Sequence, residues 1–357
     1  MPPWQTPQEA DRWWKRDGVT LRYTALGKQP LTTARNLTND VLAWQPDIVH
    51  GFKPKAYSGL VMWWLWQFHR RDLRLLVDMD DWEGPGGWND LAPYSALEKR
   101  FFTWQEQWGM GHAHDLTVAS RALQSIVWSN GVAVEKVHYL PNGSGLPFVE
   151  AGELDGASQA RRDALALGKR PSLLVYSRLF EFDTTRLVAI LAAVKDQVPD
   201  VAILFIGESL FEEDARRLRG ELEQGDVLPA VFDLGWVDEA DLPAALHLAD
   251  VAIYLMDDTL INRCKCPVKL ADLIAAGIPV AAEAVGQVPQ YVINSKNGCL
   301  RDSGDVAGLA ADITALLHDE QRRRMYGRAA QDLYRKSFSW DSLAHNLDSV
   351  YRQTQVV

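Results

Sequence analysis

The chain has 357 residues and is poor in several features that define large protein classes. Its three cysteines, Cys264, Cys266 and Cys299, are too few for a disulfide framework or a four-cysteine zinc site. We interpret the C-x-C pair as two reduced thiols, with metal binding as the weaker alternative. The longest apolar run, Leu60 to Trp66, is far shorter than the roughly 20 residues that cross a bilayer, so no transmembrane helix is predicted.

Positive charge is also scarce. There are 37 Lys and Arg residues against 47 Asp and Glu residues, which gives a net charge of −10. Such a chain lacks the broad basic surface that binds a polyanion, so nucleic acid is excluded as the expected partner. A local site for one phosphate group remains open. The first residues do not combine a basic stretch with an apolar run, so we expect no signal peptide and a cytoplasmic location. Serine-hydrolase, zinc-protease and Walker motifs are absent as well.

Tryptophan, in contrast, is abundant and unevenly distributed. Twelve of the 14 tryptophans lie at or before Trp128. Apolar residues of the stretch 57–68 recur on one face at helical spacing, and Trp63 and Trp66 make this predicted helix apolar nearly all round. We expect a buried helix. The alternative is a surface that contacts a membrane or a lipid.

The pattern is regular from about Ser172 onward. Short β-branched runs, such as SLLVYSRL (172–179) and VAILFIG (201–207), alternate with amphipathic stretches. Apolar strands followed by helices predict an α/β fold with a parallel sheet covered on both faces. Ligands of such sheets bind beyond the carboxyl ends of the strands.

The first half is similar but less regular. Its first predicted element is a helix over residues 6–16, so the opening strand of a doubly wound domain is not found. The polar, glycine-bearing segment EAGELDGASQA predicts a domain boundary near residues 150–170.

The segment 267–300 carries the most specific pattern. Gly277 is suited to end a helix in the left-handed conformation, and Pro279 prevents the helix from resuming. Gly286 opens another predicted helix, where free backbone N–H groups can meet an anion. Asp272 lies on the helix before Gly277, where a carboxylate can accept hydrogen bonds from two sugar hydroxyls.

These residues resemble glycosyltransferase family 4. The family pattern is roughly P-x-K-L-x-E-x-x-A-x-G-x-P-V followed by V-G-x-x-x-x-V, and the chain matches it at 267–280 and 285–292. The resemblance extends from about residue 46 to the end and is stronger in the second half. It implies the GT-B architecture, in which two Rossmann-like, doubly wound parallel-sheet domains face each other across a cleft.

The resemblance also divides the chain. Residues 1–155 would form an acceptor-side domain, in which no first strand is predicted. Residues 165–336 would bind the nucleotide-sugar. Residues 337–357 would form a closing helix that crosses back to the first domain.

The implied activity is transfer of a sugar from a nucleotide-sugar donor to a glycan or lipid-linked acceptor, with retention of anomeric configuration and without a metal or other cofactor. We expect a role in cell-surface polysaccharide or glycolipid synthesis, in the cytoplasm or peripherally at the inner face of the membrane through the N-terminal domain. One alternative is another GT-B enzyme, such as a sugar-nucleotide epimerase. The other is a degenerate, non-catalytic relative that binds glycan or nucleotide.

The predicted catalytic residues are cations. Arg178, in the turn YSRLFEF, would steady the leaving diphosphate, because charge that builds on a departing phosphate needs fixed cations and a guanidinium can hold two oxygens. The lysine that follows this arginine in the family is missing, since Phe182 and Asp183 stand there. Lys265 and Lys269 are the replacement candidates, and the alternative for Lys269 is a solvated lysine of the first helical turn.

By resemblance, Asp272 would bind the ribose of the donor, and its alternative is a solvent-facing acid. The backbone near Val237 would hold the base. Further donor-binding positions, which follow predicted strands or open the next turn, are Gly207, Gly286, Gln287 and Val288. Two departures from the family mark this site: Asp272 is shorter than the usual glutamate, and Cys264 stands where another glutamate is common.

Acceptor-side candidates end two strands of the first half. His50 and Lys53 lie in VHGFKPK, where the histidine would contact acceptor or donor phosphate or be a satisfied loop residue. Asp80 and Asp81 lie in VDMDDWEGPGG. We favour a role in orienting an acceptor hydroxyl over capping the next element, and both over a D-x-D metal site with Asp78.

Overall fold

A computed structural model of the protein describes residues 11–147, 154–209 and 211–354. These residues form two compact units. Unit 1 holds the chain as far as Leu140 and again from Leu347, and unit 2 comprises Pro141–Asn346. Each unit contains one parallel sheet with helices, which confirms the predicted pair of Rossmann-like domains.

The sheet of unit 1 has four parallel strands in the order β3-β4-β5-β6. They are β3 (Ile48–Phe52), β4 (Arg74–Met79), β5 (Asp115–Val118) and β6 (Val137–Tyr139). The second and third of these strands are almost wholly buried, as expected for strands covered on both faces.

An antiparallel hairpin precedes this sheet and consists of β1 (Trp13–Arg16) and β2 (Val19–Arg22). Asp17 and Gly18 join the strands and both have positive φ, which is the two-residue turn that suits hairpins. The predicted helix over 6–16 is therefore wrong at residues 13–16, which form the strand β1. Residues 6–10 lie outside the described part of the chain.

The helices of unit 1 follow its strands. They are α1 (Pro30–Ala43), α2 (Ala56–His69), α3 (Trp88–Leu91), α4 (Ala96–Gly111) and α5 (Arg121–Ser129), with a 3-10 turn at Val134–Lys136. The predicted helix over 57–68 is confirmed as α2. It buries Val61, Met62 and Leu65 but exposes Trp64 and Phe68, so this apolar helix is buried on one face and not all round.

The sheet of unit 2 has six parallel strands in the order β12-β11-β10-β7-β8-β9. They are β7 (Ser172–Tyr176), β8 (Ala202–Ile206), β9 (Val231–Asp233), β10 (Val251–Tyr254), β11 (Val280–Glu283) and β12 (Gly298–Arg301). The central strands are buried along nearly their whole length, which confirms the pattern predicted from Ser172 onward.

The helices of unit 2 complete the alternation. They are α6 (Asp155–Ala164), α7 (Thr184–Gln197), α8 (Glu212–Gln224), α9 (Leu242–Leu246), α10 (Leu260–Cys264), α11 (Val268–Ala275), α12 (Val288–Tyr291), α13 (Val306–His318), α14 (Glu320–Ser337) and α15 (Trp340–Thr354), with a 3-10 turn at Leu228–Ala230. The last of them begins in unit 2, and its residues from Leu347 belong to unit 1. No helix within the described ranges is long and apolar enough to cross a bilayer.

The core of unit 2 positions the loops that matter for function. Leu173 and Ile203 of the central strands are fully buried and belong to the same apolar cluster as Leu187 and Ile190 of α7 and Ile313 of α13. This packing fixes the strands, and the turns that leave their carboxyl ends are where ligands of parallel sheets bind.

Candidate active site

The three predicted catalytic cations lie in unit 2, in a cluster that also contains the carboxylates of Glu181 and Asp272. The Nζ atom of Lys265 lies 3.4 Å from Glu181 Oε1 and 4.0 Å from the centre of the Phe180 ring. Burial lowers the pKa of Lys269, the charge of Arg178 lowers it further, and the charge of Glu181 opposes both. The structure therefore groups cations that are far apart in sequence.

The turn after β7 exposes Arg178. Leu179 adopts a left-handed conformation with φ of 62° although it is buried, and its N–H donates to Ser177 Oγ over 2.9 Å. A non-glycine residue with positive φ is costly and is kept where surrounding contacts enforce it. Among the described residues, Arg178 has no hydrogen bond or ion pair, so its guanidinium is available to an anion.

Sequence analysis missed Glu181. Its backbone oxygen accepts hydrogen bonds from the N–H of Asp257 at 2.9 Å and from Asn262 Nδ2 at 2.8 Å. Its carboxylate contacts Lys265 and, at 3.5 Å, the hydroxyl of Ser177. In the sequence, Glu181 is marked only by its position in the same turn as Arg178. That position does not indicate whether the carboxylate faces the cations or the solvent.

Asp272 is almost fully buried on α11. Its Oδ1 accepts a 2.6 Å hydrogen bond from Ser144, and its Oδ2 accepts a 3.3 Å bond from the hydroxyl of Tyr176. Burial raises the pKa of Asp272. The carboxylate is thus already held on both oxygens, and a ribose hydroxyl would have to share or replace these partners. Its role toward ribose stays a prediction.

Two glycines among the predicted donor positions are required by geometry. Gly207 has φ of 107°, and a Cβ there would lie 2.5 Å from the backbone oxygen of Ser177. Gly286 has φ of 53°, and a Cβ there would lie 2.5 Å from Cα of Arg263. Each glycine therefore lies closer to a neighbouring backbone, Ser177 after β7 or Arg263 of α10, than any side chain permits.

The remaining donor positions differ in exposure. Gln287 and Val288 are buried at the start of α12, a helix of only four residues. Val237 is half-buried and lines a pocket of about 360 Å³ within unit 2, together with Trp236 and Arg161. This pocket gives the predicted base-binding segment a concave, partly aromatic wall.

In unit 1, Lys53, Asp80 and Asp81 lie close together. This was expected from their positions at the ends of two predicted strands. Lys53 Nζ lies 3.1 Å from Asp81, 3.4 Å from Asp80 and 3.8 Å from Glu83. Burial opposes the charge on Lys53, but these three carboxylates outweigh it and raise the pKa of the lysine. Lys55 pairs with Glu83 at 2.7 Å.

His50 is fully engaged inside unit 1. Its Nδ1 lies 2.9 Å from the hydroxyl of Tyr351, its Nε2 lies 3.1 Å from Thr117 Oγ1, and Thr117 in turn donates to Asp78. Burial lowers the pKa of His50 to about 4, so the imidazole is neutral at neutral pH. A contact with phosphate would require one of these bonds to be exchanged.

Glu106 on α4 is a second residue that sequence analysis missed. It is fully buried, and neither carboxylate oxygen has a hydrogen-bond partner among the described residues. Burial raises the pKa of Glu106 to about 8, and the negative charge of Glu83 adds to the effect. A neutral acid therefore lies beside the ion pairs of Lys53 and Lys55 at neutral pH.

Within residues 11–147, 154–209 and 211–354, no group of three or more His, Cys, Asp or Glu side chains is arranged to hold a metal ion. The three cysteines are buried and form no disulfide. Metal independence of the reaction stays a prediction.

Known protein families match both units of the chain. Residues 4–143 match the glycosyl transferase 4-like domain, and residues 158–333 match the family of glycosyl transferases group 1. The sulfoquinovosyl transferase of Arabidopsis thaliana is 26% identical over 51% of this chain and 34% of its own length. The glycogen synthase of Mycobacterium tuberculosis is 25% identical over 87% of this chain and 69% of its own length.

A GDP-mannose-dependent phosphatidylinositol monomannoside mannosyltransferase of Mycobacterium tuberculosis is 28% identical over 56% of this chain and 52% of its own length. The chain thus spans between about a third and two thirds of these relatives.

Solved structures agree on the fold. The sucrose-phosphate synthase of Thermosynechococcus elongatus superimposes with a TM-score of 0.72 at 20% identity, over 97% of this chain and 86% of that one. Anabaena HepE in complex with UDP gives 0.72 at 16% identity, over 93% and 86%. The chain therefore belongs to the glycosyl transferases group 1 family, which is glycosyltransferase family 4, and has the GT-B fold.

Proposed function

We propose that the protein transfers a sugar from a nucleotide-sugar donor to a glycan or lipid-linked acceptor, with retention, in cell-surface polysaccharide or glycolipid synthesis. The observation that carries the proposal is the grouping of Arg178, Lys265 and Lys269 in unit 2, where three cations outnumber the two nearby carboxylates, Glu181 and Asp272. A net positive cluster beyond the strands of a parallel sheet fits a diphosphate. Relatives support it, since one is named as GDP-mannose-dependent with a lipid acceptor and Anabaena HepE was solved with UDP-glucose.

In this proposal Arg178 and one of the two lysines stabilise the charge that develops on the departing diphosphate. The bond between the anomeric carbon and the diphosphate breaks, and a bond to the acceptor oxygen forms on the same face of the sugar. The acceptor proton passes to the leaving diphosphate. No metal takes part.

Donor binding is assigned to the predicted positions of unit 2. Asp272 contacts the ribose, the backbone at Val237 holds the base, and the sites nearest the diphosphate and sugar are Gly207, Gly286, Gln287 and Val288. The concave wall beside Val237 supports this placement.

Acceptor binding is assigned to unit 1. Lys53, Asp80 and Asp81 form a polar group at the carboxyl ends of β3 and β4, where a hydroxyl can be oriented by a carboxylate. His50 stabilises this edge of the sheet through its hydrogen bond with Thr117.

The test is a thermal-shift screen of UDP-, GDP- and ADP-sugars, followed by product analysis with and without candidate acceptors. Nucleoside diphosphate released together with a glycosylated acceptor supports the transferase. Conversion of the donor sugar without any acceptor would identify an epimerase. A protein that binds no donor would be a non-catalytic relative.

We also propose that unit 1 lies peripherally on an anionic membrane at its cytoplasmic face. The rings of Phe101, Trp104, Trp108 and His112 follow one another along α4 with centroid distances of 5.8, 6.1 and 4.2 Å, and Trp66 continues the row. We call these five residues the aromatic row. Phe101 and Trp104 are exposed, and aromatic rings with a polar edge suit the membrane interface.

Basic side chains lie on the same helices. Arg70 lies over the Trp66 ring at 5.8 Å, and Arg100 is exposed on α4. Co-sedimentation with vesicles of phosphatidylserine and phosphatidylcholine should therefore exceed that with phosphatidylcholine alone. Phe101→Ala with Trp104→Ala should weaken binding to both kinds of vesicle while the melting temperature is kept. Equal binding of the variant and the wild type would contradict the contact.

A further inference from the structure

We infer that Glu181 binds hydroxyl groups of the sugar carried by the donor and so selects which sugar is transferred. The inference rests on the proposed function, because it requires a nucleotide-sugar beside Arg178 and Lys265. Glu181 belongs to none of the donor positions that the family pattern supplies.

The charges of the cluster require an explanation for Glu181. Arg178, Lys265 and Lys269 carry three positive charges. Asp272, which also acts on Lys269, is held by Ser144 and Tyr176, whereas Glu181 is the carboxylate that Lys265 contacts directly. A carboxylate at a diphosphate site repels the phosphate oxygens, so it weakens the binding of the very group that the cations attract. An acid in this place is explained if a different part of the same ligand binds it.

Geometry is the second argument. Two hydrogen bonds to its backbone oxygen, from Asp257 and Asn262, fix the main chain of Glu181. The carboxylate itself makes only long contacts, 3.4 Å to Lys265 and 3.5 Å to Ser177. Charge-assisted hydrogen bonds are usually about 2.7–2.9 Å long, and a carboxylate has about four acceptor positions. Glu181 is therefore held in place with acceptor capacity to spare.

Other acids of unit 2 show the contrast. Glu283 is fully buried and accepts bonds from the N–H groups of Met256 at 2.9 Å and Gly304 at 2.7 Å, as well as an ion pair with Arg186 at 3.0 Å. Asp272 holds a 2.6 Å bond from Ser144. These two acids have short partners within the protein. The Glu181 side chain is 13% exposed, and within the described ranges its carboxylate has no partner closer than 3.4 Å.

Sugar hydroxyls are the fitting ligand. They donate hydrogen bonds readily to a carboxylate, and they adjoin the diphosphate in every nucleotide-sugar. A site that hydrogen-bonds a substrate hydroxyl rejects analogues that lack it, because the protein group is then left unpaired. Glu181 can therefore discriminate between sugars, while the three cations hold the diphosphate that all donors share.

The experiment compares each nucleotide-sugar with its own nucleoside diphosphate. Calorimetry measures the affinities of wild-type protein and Glu181→Gln for UDP and UDP-glucose, GDP and GDP-mannose, and ADP and ADP-glucose. Glu223→Gln, an exposed acid of α8, is the matched control. For the pair that wild-type protein binds, we expect Glu181→Gln to weaken the nucleotide-sugar by about 10- to 100-fold, the scale of a hydrogen bond to a charged group. The free diphosphate should bind equally well or more tightly, since a repelling charge is gone.

A second measurement separates this role from a structural one. Deoxy analogues of the bound sugar, each lacking one hydroxyl, should lose affinity for wild-type protein at the position that Glu181 contacts. The same analogue should lose little further affinity for Glu181→Gln, because the partner is already absent. A merely structural role would lower the melting temperature and weaken both members of the nucleotide pair.

The outcomes are distinct. Equal weakening of diphosphate and nucleotide-sugar, or no weakening of either, overturns the role of Glu181 and leaves the proposed transferase intact. If wild-type protein binds none of the six probes, the proposed function fails, and the role of Glu181 fails with it.

Discussion

Lys53 of unit 1 lies within 3.8 Å of three carboxylates, whereas Arg178 of unit 2 has no ion pair among the described residues. Unit 1 thus neutralises its charges internally, next to the buried acid Glu106. In unit 2, the cluster of Arg178, Lys265 and Lys269 contains the carboxylates of Glu181 and Asp272 and leaves Arg178 exposed. This difference supports our proposal that unit 2 receives the diphosphate and unit 1 an uncharged hydroxyl acceptor.

The largest expected effect comes from the unpaired cation. Arg178→Ala should lower kcat by about 100-fold, the scale of losing one preorganised charge contact at a leaving group. Steady-state kinetics with the donor identified by the screen measure it. Arg219→Ala, on the exposed face of α8, is the control. Unchanged turnover in Arg178→Ala would show that this cation does not act on the diphosphate.

Asp272 is a buried acid of unit 2 whose carboxylate has hydrogen-bond partners, so the contribution of these bonds to stability can be tested. Ser144→Ala removes the 2.6 Å hydrogen bond to buried Asp272 and should cost about 1.5–3 kcal/mol of the free energy of unfolding. Urea denaturation measures it. Ser303→Ala, which removes a 3.2 Å bond to a neutral carbonyl oxygen, should cost less. Equal costs would mean that the charge of Asp272 adds nothing to the bond.

Glu106 makes unit 1 sensitive to pH. The pKa of Glu106 in the native protein is about 8, above the value of 4.5 that is ordinary for the side chain. The native protein therefore favours the protonated carboxyl. The resulting contribution to the free energy of unfolding is complete below pH 4.5 and is lost as the pH rises through 8. We expect the melting temperature of Glu106→Gln, relative to wild type, to rise between pH 5 and pH 8.5 by the equivalent of about 4 kcal/mol. Exposed Glu135→Gln should show no such trend. A constant difference across this range would exclude ionisation of Glu106.

The smallest effect is expected at Lys53. Its ion pairs are partly exposed, so Lys53→Ala should cost only about 0.2–1 kcal/mol of stability. Exposed Lys136→Ala is the control. A larger loss in acceptor affinity than in stability would place Lys53 at the acceptor, and a large loss of stability alone would make it a structural residue.

The sequence predicted the sheet of unit 2 well, because strands such as 172–176 and 202–206 are continuous apolar runs that only a sheet covered on both faces can bury. It failed at β1, where the tryptophans and charges at 13–16 fit a helix as well as an exposed strand. The Asp17-Gly18 turn decides the matter, since it joins two strands of matching length.

Residues of the candidate site could be proposed from the sequence where they belong to a short motif. Residues that join the site only through contacts formed in the folded protein could not. Arg178 and Lys269 belong to recognisable patterns, and the structure groups them. Glu181 and Ser144 are significant only through partners more than 80 residues away, Lys265 and Asp272. Glu106 has no sequence signal, because an acid on an amphipathic helix is ordinarily solvated.

The uneven tryptophans give each unit its own optical signal. Trp236 and Trp340 are the two tryptophans beyond Trp128, and Trp236 is 66% exposed at the rim of the pocket beside Val237. Intrinsic fluorescence of the whole protein therefore reports mainly the unfolding of unit 1. In a variant whose other tryptophans are all replaced by phenylalanine, quenching of Trp236 becomes a direct reporter of a nucleobase that enters the pocket.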